Sequence, residues 1–232
     1  MRLTVFAAAT LALIVAIAYI TYRSAQLLKE IEIPFNLMLS PVENGFRLLL
    51  ILLCVALGRL SGLPPGRLGW SVESPAIDIV IGLVLGTVVQ FALHPVTRWA
   101  VVRFGKWVYS PLVILNILPE TRRQWVLVPL ALVPAALVEE LLFRSLLLGG
   151  LSVLWPAIAL AISGSLLFGI MHAPQGPLGI IATGVVGFLL SLLFLWRWTL
   201  LSVFVMHYTI NLLQLVRASR EREWLQRYWG RD

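Results

Sequence analysis

Residues 125–150 read WVLVPLALVPAALVEELLFRSLLLGG, an apolar run interrupted by Glu139, Glu140 and Arg144. At about 1.5 Å per residue a helix of this length crosses the roughly 30 Å hydrocarbon core of a bilayer. Ionisable residues at such depth cost roughly 2.5–3.5 kcal/mol each, so these three cost about 8–10 kcal/mol. The Leu, Val and Phe side chains return about 0.3–0.6 kcal/mol apiece, about 4–8 kcal/mol in all. The helix nearly breaks even and needs polar partners from its neighbours. Glu140 and Arg144 are four apart on one face, acid before base, and can neutralise each other. Glu139 lies about 100° round the helix, so it cannot share that pair fully. One carboxylate is left to face something else.

The remainder of the chain has the same character. Hydrophobic residues make up 59% and charged residues 12% of its 232 residues, against about 45–50% and about 25% in soluble domains. The expected fold is all-α, a polytopic transmembrane bundle. Apolar runs near 3–22, 44–60, 76–94, 125–149, 152–171, 177–196 and 199–216 predict seven spans. Trp107 to Leu118 is too short to cross upright, and reads as interfacial, re-entrant or an eighth, tilted helix. Breakers stand between runs: Pro64-Pro65-Gly66, Gly149-Gly150, and the stretch Ala173 to Pro177. The run from Thr4 to Tyr22 is longer than a signal-peptide core and lacks a small-x-small cleavage site, which predicts a retained helix.

The net charge of +7 arises from 16 Arg and 2 Lys against 11 acids. The basic residues cluster at the ends of apolar runs, which is topology signalling and excludes a nucleic-acid role. Arg98, Arg103, Lys106, Arg122 and Arg123 precede the fourth span; Arg217, Arg220, Arg222, Arg227 and Arg231 follow the last. Four spans intervene, so both clusters share one side, and the positive-inside rule makes it cytoplasmic. Trp224, Leu225, Tyr228 and Trp229 among the final arginines predict an amphipathic strip on the headgroups. The single Cys54 allows no intramolecular disulfide and no Cys-based metal cluster.

Other polar residues are set into the later spans. His172 closes the fifth, with Phe168 one turn earlier on the same face; His207 and Asn211 share a face of the seventh. His94, before Pro95, and Asp78 read as structural and interfacial. Two histidines, an asparagine and a spare carboxylate on three helices form a polar centre that packing alone does not require. A carboxylate beside an imidazole deprotonates water, and a second His with an Asn amide stabilises a tetrahedral oxyanion. That is amide hydrolysis. His172, His207 and a carboxylate would also suit a zinc ion with an open water position, although the H-E-x-x-H arrangement is absent. Ser145, Ser163 and Ser165 lie in no G-x-S-x-G motif.

Three motifs occur in order: Glu139-Glu140-Leu141-Leu142-Phe143-Arg144, Phe168-Gly169-Ile170-Met171-His172 and His207-Tyr208-Thr209-Ile210-Asn211. They match E-E-x-x-x-R, F-x-x-x-H and H-x-x-x-N, and in them the chain resembles the Abi, or CPBP, membrane proteases related to the type II CAAX prenyl endopeptidases. The resemblance covers about residues 125–215. It implies that Glu139 activates water with help from His172, that Glu140 pairs with Arg144, and that His207 and Asn211 form the oxyanion hole. Family accounts divide between a metal and a metal-independent glutamate mechanism; without a compact zinc motif the expectation is the second, with no cofactor. One misfit stands: counting places Glu139 and His207 mid-span but His172 near a helix end. A tilt, a kink at Pro134 or an extension of the fifth helix would bring them together.

The expected organisation is N-terminal transmembrane helices of unassigned role over 1–120, a catalytic helix core over 121–216 and a basic amphipathic tail over 217–232. The expected partners are the lipid bilayer and a membrane-anchored protein or peptide substrate: a prenylated C-terminus, a bacteriocin-related peptide or a C-terminal sorting signal. Small size and the preference for Arg over Lys suggest a bacterial inner membrane. Two other classes fit the same residues. One is a transporter with a Glu139, His172 and His207 relay, though the duplicated half with broken helices is missing. The other is a catalytically idle member of the family that binds a partner.

Overall fold

The computed structural model describes residues 2–30 and 34–229, with the side chains of 28–30 and 227–229 outside the description. All regular structure among the described residues is helical. In order come α1 (Arg2–Glu30), α2 (Pro41–Ser61), α3 (Pro75–Phe104), α4 (Leu112–Ile117), α5 (Gln124–Glu140), α6 (Ala157–Met171), α7 (Gly176–Arg197), α8 (Leu200–Arg220) and α9 (Arg222–Trp229). Beyond Glu140, α5 continues without a break as a wider π-helix, Leu141–Gly150.

Six of these elements are long and apolar enough to cross a membrane, with α5 and its π continuation counted as one, and α6 is a shorter apolar helix. The protein is therefore an integral, multi-pass bundle. Its outer surface is apolar: Leu49, Leu52, Val84, Val88, Ile162 and Leu166 all face outward. A soluble protein does not expose such a surface, whereas lipid tails cover it. Trp99, Trp107, Trp155 and Trp196 are exposed near helix ends, where indoles suit the headgroup region.

Helix boundaries follow local chemistry. Pro41 opens α2 behind Ser40, whose hydroxyl accepts the Glu43 N–H, and Gly62 closes it at φ 74°. Thr199 caps α8 by accepting from the Leu201 N–H at 3.2 Å. Some boundaries differ from the sequence expectation. The third span runs past Pro95 to Phe104, because its neighbour α8 supports the helix on the far side of the proline. The fifth begins at Ala157, not 152, since Pro156 stands at its N-cap after the turn that follows Leu151. The stretch 107–118 holds only a 3-10 turn and the six-residue α4, about 9 Å long. It adds no eighth span, so the expected seven or eight resolve as seven apolar helices.

The closest helix pairs are α3 with α8 and α6 with α7, while α2 and α8 both pack on α5. The first pair is tight because Gly82 and Gly86 face it: a Cβ at either would lie 2.7 Å from the Ser202 or Met206 carbonyl oxygen. Around the π segment all ten residues are buried, against α1, α2, α6, α7 and α8. Phe6, Ile14 and Ile17 of α1 belong to that same core.

Both basic helix ends meet. Glu221, joining α8 to α9, lies against His94 and Arg98 of α3, and Arg222 pairs with Glu120 ahead of α5. The tail, expected as an amphipathic strip, starts with the end of α8 and continues as the helix α9. Arg217 and Arg220 form the last turn of α8, and Leu225 is buried against the bundle with Leu118, Leu132 and Leu215. The expectation for the Tyr228 and Trp229 side chains lies outside the described residues, as does Arg231.

Candidate active site

The junction of α5 with its π continuation holds Glu139, Glu140 and Arg144. π-turns recur where a helix must aim functional side chains. Glu140 and Arg144 are wholly buried. Arg144 Nη1 donates to Glu140 Oε1 at 3.2 Å, and Nη2 donates to the Gly187 carbonyl of α7 at 2.8 Å. The guanidinium lies 5.1 Å from the Phe168 ring centroid and 5.9 Å from that of Phe143. One carboxylate, one carbonyl and two aromatic faces replace its water.

His207 of α8 is buried beside this pair. Its Nδ1 lies 2.5 Å from Glu140 Oε1, so a Nδ1–H donates there and the same oxygen serves both His207 and Arg144. The second ring nitrogen, Nε2, is 3.6 Å from Glu139 Oε2. That is longer than a hydrogen bond, and the Glu139 side chain is 35% exposed where that of Glu140 is 0%. The two adjacent glutamates therefore have different surroundings: one is locked, the other accessible.

His172 follows the last residue of α6, and its Nδ1 is 2.7 Å from the Phe168 carbonyl. A carbonyl only accepts, so the proton is on Nδ1 and Nε2 is left as the basic nitrogen. The Phe168 ring stands between the imidazoles, 4.7 Å from that of His172 and 6.0 Å from that of His207. At 15 residues α6 is only about 22 Å long, and His172, at its C-cap, is half-buried beside the cavity.

A cavity of about 150 Å³ opens beside these residues, with Phe168, His172, His207 and Asn211 in its wall. Asn211, one turn beyond His207, makes no hydrogen bond among the described residues and keeps its amide for whatever enters. Neither glutamate lines the cavity, and no hydrogen bond joins Glu139 to His172. The six residues singled out from the sequence thus divide in two: Glu139, Glu140, Arg144 and His207 form one charged cluster, while His172 and Asn211 share the cavity wall with His207.

The donor set suits a metal ion poorly. Among the described residues no three His, Cys, Asp or Glu side chains are grouped to hold one.

The segment 121–213 matches the family model described as Rce1-like, type II CAAX prenyl endopeptidase Rce1-like. This segment is similar to that family. The matched segment spans the three motifs, from the start of α5 to the middle of α8, and its likeness to an endopeptidase family marks the protein as a peptide hydrolase. No curated protein and no solved structure matches the chain. The Rce1-like core does not line its cavity alone: α3, outside the matched segment, contributes Gln90, His94 and Arg98. These were not evident from sequence, where His94 before a proline reads as a helix end. Gln214 and Arg217 continue the His207–Asn211 face of α8, and that i, i+3, i+4 spacing was the available signal. Tyr109, also on the wall, is hydrogen-bonded to Gln214; burial raises its phenol above the ordinary range despite that bond, so it remains a neutral donor.

Proposed function

We propose that the protein is an intramembrane endopeptidase that cleaves a membrane-anchored protein or peptide with water activated by Glu139 and His172. The observation that carries this reading is His207, clamped by Glu140 on one nitrogen and facing Glu139 with the other, on the wall of a cavity. With both glutamates ionised and Arg144 cationic, an imidazolium at His207 brings the cluster to zero net charge, which suits a low-dielectric setting. In that form Nε2 carries a proton and is a donor.

The reaction then has a place for each group. A water between Glu139 and the basic Nε2 of His172 gives its proton to the Glu139 carboxylate, which His172 assists, and the oxygen attacks the scissile carbonyl carbon. The developing oxyanion accepts from His207 Nε2–H and from the Asn211 amide. Collapse breaks the C–N bond and returns the proton to the leaving amine. Glu140 and Arg144 hold His207 in place and touch no substrate.

The catalytic core would comprise residues 121–216, with the N-terminal helices supporting it. The meeting of the basic helix ends supports a cytoplasmic C-terminus by the positive-inside rule, and the preference for Arg over Lys favours a bacterial inner membrane. The family description points to lipidated C-terminal sequences as the first substrates to try.

The test is reconstitution in liposomes with peptides bearing a prenylated C-terminus, a bacteriocin leader or a C-terminal sorting signal. Cleavage of at least one by the parent, and by neither Glu139→Ala nor His172→Ala, is the expected result. Absence of cleavage with every peptide, or cleavage that survives both substitutions, rejects the reading. Activity is expected to persist in a strong chelator, as the poor donor set implies.

A further inference from the structure

In the peptidase reading Glu139 takes a proton from water, yet nothing at hydrogen-bond distance holds it. It makes no hydrogen bond among the described residues, and its one close ionic neighbour is His207 Nε2 at 3.6 Å. A base held from one side only swings among its rotamers, whereas a reacting group must be kept within about 0.5 Å of its working place. We propose that Arg47 of α2 is the second support, a positioning residue whose guanidinium faces Glu139 across the α2–α5 contact and fixes its carboxylate for proton transfer. The proposal rests on the peptidase reading and gives the N-terminal half a part in the chemistry.

The packing of α2 brings Arg47 to this place. Arg47, Leu50 and Cys54 follow at spacings of three and four and share one face of the helix. That face turns inward. Leu50 and Cys54 are buried in the core that also holds Val138, Leu141 and Leu142, while Leu48, Leu49 and Leu52 point out to lipid. Just ahead of α2, Met38 is buried with Val128 and Leu132 of α5. The two helices therefore run side by side in the same direction, and the level of Arg47, between Met38 and Leu50, falls on the last turn of α5, where Glu139 stands. At that separation the charge of Arg47 acts on that of Glu139, as do the charges of Arg144 and His207.

Arg47 is also held ready. An arginine two turns into a span ordinarily reaches outward to the headgroups. The Arg47 side chain is instead only 19% exposed, and its Nη1 donates to Asn44 Oδ1 at 3.4 Å and to Met38 Sδ at 3.3 Å. Asn44 is itself fixed: its amide nitrogen donates to the Met38 and Ser40 carbonyls at 2.8 and 2.9 Å, which leaves Oδ1 for Arg47.

The cation is not used up by its other neighbour. Glu43 lies 3.8 Å from Arg47 Nη2, beyond hydrogen-bond distance, and is half exposed, so water screens the pair. Nη2 and Nε of Arg47 make no hydrogen bond among the described residues. A guanidinium clamped at one nitrogen and open at the others steers an unbonded carboxylate by its field, and its donors are free for a charge-assisted bond. Arg144 cannot take this part, because Glu140 and the Gly187 carbonyl already hold it. Glu139 is thus supported from α8 by His207 and from α2 by Arg47.

The experiment uses the full-length protein in nanodiscs. The infrared band of the Glu139 carboxylate is isolated as the difference between the parent and Glu139→Gln, and again with Arg47→Met present in both. Cleavage of the peptide that the parent cuts fastest is followed in parallel, with the melting midpoint of every variant. Arg47→Met should shift the band and lower kcat about ten- to a hundredfold at unchanged KM, the effect of misplacing a group at the reacting centre. Arg47→Lys keeps a cation and should recover most of both. Arg47→Gln is a second neutral variant, so that a folding defect in one replacement does not decide the matter. Failure of both neutral variants to fold assigns Arg47 to the scaffold and overturns the proposal. It is overturned equally by a band that stays in place, by a shifted band with kcat unchanged, or by a change in KM alone. If the parent cleaves no peptide, the peptidase reading fails, and the band alone decides whether Arg47 sets Glu139.

Discussion

Glu140 and His207, sixty-seven residues apart in sequence, share a 2.5 Å contact through Oε1 and Nδ1 inside the bundle. The same oxygen accepts from Arg144, so one buried carboxylate fixes both a cation on its own helix and the imidazole of another.

Removing a member of this cluster should therefore destabilise the protein. Arg144→Met leaves Glu140 and His207 without their cation, and breaking a buried pair costs about 3–5 kcal/mol. The double variant Glu140→Gln, Arg144→Met removes both charges and should lose less than the two single variants together. Unfolding of the four proteins in mixed micelles measures the coupling. Simple additivity would show that the two side chains do not act as a pair.

Glu139 should behave differently although it is the next residue. Its side chain is partly exposed, and its nearest ionic neighbour is His207 Nε2 at 3.6 Å. Glu139→Gln keeps the shape, so the melting midpoint should stay close to that of the parent. The cleavage rate should fall by about 10²–10⁴, the usual contribution of a general base. A loss below tenfold would remove Glu139 from that role.

Asn211→Ala tests the oxyanion donor. Nothing in the described structure depends on its amide, so stability should hardly change. A donor that acts only in the transition state lowers kcat by about 10²–10³ and leaves KM alone. A raised KM at constant kcat would instead make Asn211 a binding residue.

The sequence made parts of this site legible for specific reasons. The Glu140–Arg144 pair and the His207–Asn211 face follow from four-residue spacing, which any helix converts into proximity. The start of the helix that ends at His172 was not legible, because the turn before Pro156 delays it to Ala157. The π widening after Glu140 left no local signature; it belongs to a segment buried on all sides, where Gly149 lets the Arg67 carbonyl come within 2.3 Å of where a Cβ would be. Nor could His94 and Arg98 be linked to Glu221, since that contact joins α3 to the joint after α8, far apart in sequence.

The N-terminal helices should matter to catalysis through packing. Gly86 of α3 abuts the Met206 carbonyl, where a Cβ would lie 2.7 Å from the oxygen and 2.8 Å from Thr209 Cβ. Backbone cannot yield as a flexible side chain does, so Gly86→Ala must push α8 away from α3. Overpacking of this kind costs about 1–3 kcal/mol. The displaced stretch carries His207, whose contacts with Glu140 and Glu139 depend on the position of α8. Cleavage should accordingly drop by tenfold or more, an effect of about 1.4 kcal/mol on the barrier, although Gly86 is far from any reacting atom in sequence. Gly45→Ala is the control, since nothing lies within 4 Å of its added methyl group. If both variants cleave like the parent, α3 does not set the position of His207 and contributes to catalysis only by lining the cavity.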